Sequence, residues 1–300
     1  MLKIANHKVY AHPLPEGHKF PMEKYDLLPQ QLIYEGTVTE NNFFIPSSLS
    51  DEIILKTHEK DYFEKLKNLQ LTAKEQRKTG FPHSKELIER EITIMGGTLQ
   101  AAQYALEFGV AFNIAGGTHH AYTNRGEGFC LLNDIAIAAN QLLNLGSIKK
   151  VLVVDLDVHQ GNGTAQIFQN NADVFTFSMH GKNNYPLHKE VSDLDIELLD
   201  GTDDKTYLET LKETLPKLLE LQQPDFIFYQ CGIDVLKTDK LGKLGLSMQG
   251  CKERDRYVLE LAKNNQIPLM ASMGGGYSEK ISDIVEAHAN TYRLAQEIYF

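Results

Sequence analysis

Five short runs of β-forming, almost uninterrupted apolar residues constrain this chain most: VAFNI at 110–114, VLVVD at 151–155, VFTFS at 174–178, FIFYQ at 226–230 and IPLMAS at 267–272. A strand without polar alternation is covered on both faces. Helical patterns fill the stretches between and after them, at 87–107, 131–145, 205–222, 249–264 and 279–298, so strand and helix alternate as βαβ units. The expected fold is α/β, one domain over residues 1–300 with a central parallel β-sheet flanked by helices. No repeat or Ser/Gly-rich linker divides the chain, and 300 residues at 42% hydrophobic content suffice for one large core. Before residue 87 the pattern is less regular, and HPLPEGHKFP and KTGFPHS read as surface loops.

Charge narrows the partners. A formal net charge of -10 argues against a surface that tracks phosphates, so nucleic acid is not an expected ligand. Cys130, Cys231 and Cys251 form no CxxC pair and no dense framework, which fits buried free thiols in a reducing compartment. The N-terminal residues lack the apolar run of a signal peptide, and no later run reaches the ~18 apolar residues of a membrane span. The expected setting is cytoplasmic, away from membranes, and nothing in the sequence sets an oligomeric state.

In open α/β sheets ligands bind beyond the carboxyl ends of the strands. Four strands lead into reactive residues there: AGGTHHAY, LDVHQGNG, CGIDVLKTD and MGGGY. Asp155, Asp157 and His159 alternate at i, i+2 and i+4, and on an extended strand they share one face. Three ionisable groups on one side of a buried strand would repel or stay unpaired, and a cation resolves the conflict. Asp157, His159 and Asp234 would give a catalytic zinc three N/O ligands and leave a fourth position open, with Fe(II), Co(II) or Mn(II) compatible with the same donors. Asp234 taken alone reads equally well as a turn or cap residue. His119 and His120 could divide proton transfer and charge stabilisation, or be one core and one surface histidine. Tyr277 follows three glycines that let the backbone approach a ligand, and its hydroxyl can donate to a carbonyl oxygen as negative charge develops there, although packing at a helix start is the plainer alternative.

The segments AGGTHHAYTNRGEGFCLLND, VDLDVHQGNG, CGIDVL and GGGY, in this order and preceded by HPLPEGHKFPMEKY, resemble the histone deacetylase superfamily of zinc-dependent enzymes. The resemblance spans roughly residues 9 to 290 and implies the arginase/deacetylase type of α/β fold. It makes Asp157, His159 and Asp234 the zinc ligands, His120 the general base and acid, His119 its electrostatic partner, and Tyr277 the donor that polarises the carbonyl. Asp155 and Asn162 match the family's partners of His119 and His120, with Asn162 standing where some members have Asp. Gly128, Phe129 and Tyr185 correspond to the walls of a narrow tunnel for an acyl-lysine side chain. A structural potassium ion is implied at Asp155, Asp157, His159, Ser178 and Met179. Lys19 stands where many relatives carry an Arg beneath the acetate, which keeps the charge without the bidentate fork.

By this resemblance the chain is a metal-dependent hydrolase of linear amides whose partner is an acylated lysine or another acylated amine. An acetylpolyamine amidohydrolase and a long-chain lysine deacylase share the same site behind a different entrance. An arginase-like ureohydrolase would need a second set of metal ligands, which the sequence does not offer. A scaffold that binds acyl-lysine without turnover is the reading from another class.

Overall fold

The computed structural model describes residues 1–300. Eight strands, β1 (Lys3–Ala5), β2 (Phe43–Phe44), β3 (Val110–Asn113), β4 (Val151–Asp155), β5 (Val174–Gly181), β6 (Leu194–Leu198), β7 (Phe226–Gln230) and β8 (Leu269–Ser272), form one sheet in the order β2-β1-β3-β8-β7-β4-β5-β6. Every neighbouring pair is parallel. The apolar runs lie at its centre, where β3, β4, β7 and β8 are buried at every residue.

Ten helices complete the chain. The main connections are α5 (Lys85–Phe108), α6 (Asp134–Asn144), α8 (Asp204–Gln222), α9 (Met248–Asn264) and the final α10 (Ile281–Tyr299), with the short α7 (Asn162–Phe168) after β4. Their starts follow side-chain caps: Ser84, Asn133, Asp203 and Ser247 each accept a backbone N–H three residues on. The Asn133 cap explains why α6 begins at Asp134 rather than at 131 as its apolar pattern predicts. Alternate strand residues serve opposite faces. Val151, Val153, Phe226 and Phe228 join a cluster with α5 and α6, whereas Leu152, Val154, Ile227 and Tyr229 join the larger cluster under α8, α9 and α10.

The first 86 residues are more ordered than their pattern indicates. They hold β1, β2 and the helices α1 (Lys24–Tyr34), α2 (Asp51–Ile54), α3 (Lys60–Lys67) and α4 (Ala73–Thr79). HPLPEGHKFP and the Gly80–Ser84 part of KTGFPHS are loops, but not wholly surface ones. Phe20 and Phe81 from these two segments are buried, with ring centroids 5.1 Å apart and each 5.3 Å from Phe129. Apolar rings hold these loops down because burying each is worth about 2–3 kcal/mol. All three cysteines are free and buried, and no helix is long and apolar enough to cross a membrane.

Candidate functional site

The central strand order β3-β8-β7-β4 decides the site, because these four neighbours carry the four sequence segments out at the same end of the sheet. His119 and His120 follow β3, Tyr277 follows β8, Asp234 follows β7, and Asp157 and His159 follow β4. All six line one cavity.

One ligand atom each from Asp157, His159 and Asp234 can be chosen so that all lie within 4.8 Å of one another. His159 Nδ1 is 3.1 Å from Asp157 Oδ1 and 3.2 Å from Asp234 Oδ2. Asp234 is fully buried, its Oδ1 accepts the Val158 N–H at 2.9 Å, and its Oδ2 has no hydrogen-bond partner. An orphaned buried carboxylate oxygen beside a second carboxylate and an imidazole is a donor set that fits a divalent cation. Burial and the Asp157 charge push the Asp234 carboxyl up to about 7, against the opposing pull of the neighbouring His159.

The alternation of Asp155, Asp157 and His159 does not come from an extended strand, since β4 ends at Asp155. Asp155 Oδ1 accepts the Asp157 N–H at 3.2 Å, and Asp157 Oδ1 accepts the His159 N–H at 3.0 Å. Two successive side-chain-to-backbone turns of this kind arrange the three residues beyond the strand end. They free the other oxygen of Asp155 to meet His119 Nδ1 at 2.7 Å.

Both histidines are buried, which removes the core-plus-surface alternative, and their ring centroids lie 4.1 Å apart. Their environments differ. Burial opposes a charged His119, but Asp155 and Asp157 outweigh it and raise the pKa to about 9. His120 Nδ1 meets only the neutral Asn162 Oδ1, at 2.6 Å, and burial together with the His119 and His159 charges holds it well below the usual histidine range. Adjacent rings are thus divided into a charged and a neutral imidazole, each using Nδ1 for its partner. Asn162 is itself fixed by its Nδ2 donating to the Tyr122 hydroxyl at 2.9 Å.

An Asn162→Asp exchange tests this division. A carboxylate beside Nδ1 raises the His120 pKa, so the ring stays protonated to higher pH and cannot accept a proton there. The acidic limb of kcat/KM against pH moves up by about one unit or more. Limbs unmoved in both kcat and kcat/KM would refute the assignment of His120.

The glycines before Tyr277 are required by crowding. A Cβ on Gly275 would collide with the Asp234 carboxylate, and the Gly275 N–H donates to Asp157 Oδ2 at 3.1 Å. Tyr277 is half-buried, its backbone N–H donates to Asp239 Oδ2 at 2.6 Å, and its ring lies 5.9 Å from that of Phe129. Burial raises its phenol well above the ordinary tyrosine range, so the hydroxyl stays a donor.

Gly128, Phe129 and Tyr185 line an outer pocket that opens onto His120, His159 and Tyr277. Phe129 holds a left-handed backbone at φ 65° and Gly128 one at φ 53°, where an added Cβ would stand 2.7 Å from His120 Cδ2. Such a conformation costs a side-chain-bearing residue about 1–2 kcal/mol, and here it presses a ring into the mouth of the site. The Tyr185 ring stands perpendicular to His120 at 4.9 Å, and its hydroxyl donates to Glu127 Oε2 at 2.7 Å.

Lys19 is exposed and does not line the inner cavity; the guanidinium that does is Arg90 of α5. Sequence reasoning also missed Lys24 and Asp239. Lys24 is buried and its Nζ donates to Gly274 O at 3.0 Å. Asp239 gathers the N–H groups of Leu241, Gly242 and Tyr277. Both lie inside segments already notable, HPLPEGHKFPMEKY and CGIDVLKTD, but only the fold shows what their side chains hold.

Comparison with known proteins now bears on the whole chain. Residues 18–292 match the family model for the histone deacetylase domain. The chain belongs to the histone deacetylase family. With the family comes the class of activity, a hydrolase of the deacetylase type. An uncharacterized protein of Picosynechococcus sp. is 43% identical over 99% of both chains. Histone deacetylase 2 of Arabidopsis thaliana is 30% identical over 89% of this chain and 72% of its own. Among solved structures, an HDAC homolog complexed with SAHA superposes with a TM-score of 0.87 at 24% identity, covering 99% of this chain and 84% of that one. The HDA15 HD domain gives 0.80 at 19% identity, covering 96% and 89%. At these identities the two structures establish the shared fold.

Proposed function

We propose that residues 1–300 form the catalytic domain of a zinc-dependent amidohydrolase that converts N-acyl-lysine, with acetyl as the reference acyl group, to free amine and carboxylate. The observation that carries this reading is the division of His119 and His120 beside the Asp157, His159 and Asp234 trio, since amide hydrolysis needs a base, a later acid and a charge-stabilising group around one carbon.

A divalent ion held by Asp157, His159 and Asp234 would supply Lewis-acid polarisation and a water of lowered pKa. The chain's own groups do the rest. Gly128, Phe129 and Tyr185 bind the methylene stem and exclude water from it. His120 Nε2 takes the proton of the attacking water, while the His119 imidazolium, held by Asp155, stabilises the negative charge that develops. The Tyr277 hydroxyl donates to the carbonyl oxygen as it becomes an oxyanion. His120 then returns its proton to the departing amine nitrogen, so acid and base work balance within one ring.

We assign a structural potassium ion to Asp155, Asp157, His159, Ser178 and Met179, several acting through carbonyl oxygens. The β4–β5 register, which sets Asp155 opposite Ser178, supports it by bringing these segments side by side. A reducing, cytoplasmic setting suits the three free thiols.

The test is hydrolysis of an acetyl-lysine peptide by zinc-loaded protein, with and without chelator. Turnover that stops on chelation and returns with zinc is expected. Protein that carries stoichiometric zinc yet hydrolyses neither acetyl-lysine, long-acyl-lysine nor N-acetylputrescine would make the chain a binding scaffold.

A further inference from the structure

Beside the tunnel lies a cleft of about 520 Å³ whose charge runs against that of the molecule. In a chain of net charge -10, this cleft is lined by Lys65, Lys74, Lys78 and Arg125, with Glu75 as its one carboxylate. Glu75 is already committed: its Oε2 accepts the backbone N–H of Thr72 at 2.7 Å and the Thr72 hydroxyl at 2.6 Å, closing the first turn of α4. The three lysines are exposed.

The cleft is joined to the tunnel wall. Glu127 Oε1 takes Arg125 Nε at 2.9 Å and Lys78 Nζ at 3.3 Å, and its other oxygen takes the Tyr185 hydroxyl. The N–H groups of Gly128 and Phe129 donate to the carbonyls of Lys78 and Thr79 at 3.0 and 2.8 Å, which ties the end of α4 to the tunnel wall. Glu127 therefore faces two cations, and Lys65 and Lys74 remain without a carboxylate partner of their own. On the other side of the mouth stands Lys243, and Asp239 is occupied by backbone N–H groups. Among the residues that line the cleft and the outer pocket, Glu75 is the one carboxylate, which leaves little to draw in a polycation.

We propose that the Lys65–Lys74–Lys78–Arg125 cleft docks acidic residues flanking the acylated lysine, which makes acyl-lysines within acidic segments the preferred protein substrates. The inference rests on the acyl-lysine reading of the tunnel. A peptide whose acyl-lysine enters between Phe129 and Tyr185 carries its neighbours over the rim, and carboxylates there meet the unpaired lysines. Each exposed pair contributes little, but several acting on one segment raise the encounter rate and favour one charge pattern over its opposite.

The experiment compares zinc-loaded protein on three acetyl-lysine peptides that differ only in flanking charge: acidic, neutral and basic. The acidic peptide is expected to have a KM about threefold to tenfold below the basic one at low salt, with kcat alike, and the gap closes as salt screens it. Lys65→Glu/Lys74→Glu reverses the preference and leaves kcat on the neutral peptide unchanged. Lys205→Glu/Lys217→Glu on α8, with the same change in net charge, leaves the preference intact.

Fluorescence anisotropy with the same peptides carrying norleucine in place of acetyl-lysine separates docking from hydrolysis. Acidic-selective binding that Lys65→Glu/Lys74→Glu abolishes supports the docking site even if no peptide is turned over. Turnover or binding indifferent to flanking charge overturns it. So does a single-stranded RNA that binds through Lys65 and Lys74 while peptides of all three kinds bind alike, because the cleft is then a nucleic-acid surface.

Discussion

Zinc binds Asp234→Asn protein at least about 100-fold more weakly than wild type, and turnover falls with the metal content. The asparagine keeps an oxygen where Oδ1 receives the Val158 N–H, so the loop between β4 and α7 retains its hydrogen bond. What disappears is the charge on the orphaned Oδ2, leaving Asp157 and His159 as two donors for a site that needs three. Asp234→Ala has the same effect on metal and also strands the Val158 N–H, so it additionally lowers Tm. Isothermal titration of metal-free protein with zinc reads the affinity directly, whether or not a substrate is known. Wild-type stoichiometry and affinity in Asp234→Asn would exclude this residue from the metal centre. Wild-type binding itself weakens as pH falls, because the His159 imidazole, raised to about 10, and the buried Asp234 carboxyl, raised to about 7, each gain a proton that competes with the ion.

Tyr277→Phe lowers kcat by a factor of about 10²–10³ with zinc content unchanged, the usual consequence of losing one donor to an oxyanion. The substitution is nearly free of structural effect because the ring keeps its packing against Phe20 and Phe129 and the backbone keeps its bond to Asp239. Only the hydroxyl leaves the cavity. Since its donation strengthens as charge reaches the carbonyl oxygen, the loss falls on kcat and leaves KM close to its original value. Steady-state kinetics on the acetyl-lysine peptide, with zinc measured on the same samples, decides the matter. A kcat within about threefold of wild type would remove Tyr277 from the chemistry.

The sequence reading located the five apolar strands and the five long helices to within a few residues at most ends, because burial on both faces leaves a continuous apolar run that chance rarely produces. It missed β1, β2 and β6. Two of these have two or three residues, and β6, LDIEL, is a charged edge strand that is mostly half-buried. Their strand character comes from partners distant in sequence, such as the pairing of Ile4 with Phe43 and Phe112, and local pattern carries no trace of it.

The chemical groups themselves were determined by sequence alone: two adjacent histidines, an Asp-x-His pair, a lone Asp and a glycine-backed Tyr, each just past an apolar strand. Residue type and position relative to a strand end are local properties. Tertiary structure decided their roles, because a pKa, a ligand set and a tunnel depend on what stands across a gap of a few ångströms. The β3-β8-β7-β4 order drew the groups into one cavity, where His119 meets a carboxylate and His120 an amide, and the packing of α3 and α4 against the loop at 124–126 formed a basic cleft on an acidic protein. The tertiary structure also put Arg90 rather than Lys19 at the inner cavity, where a side chain from α5 reaches a space that the exposed Lys19 does not.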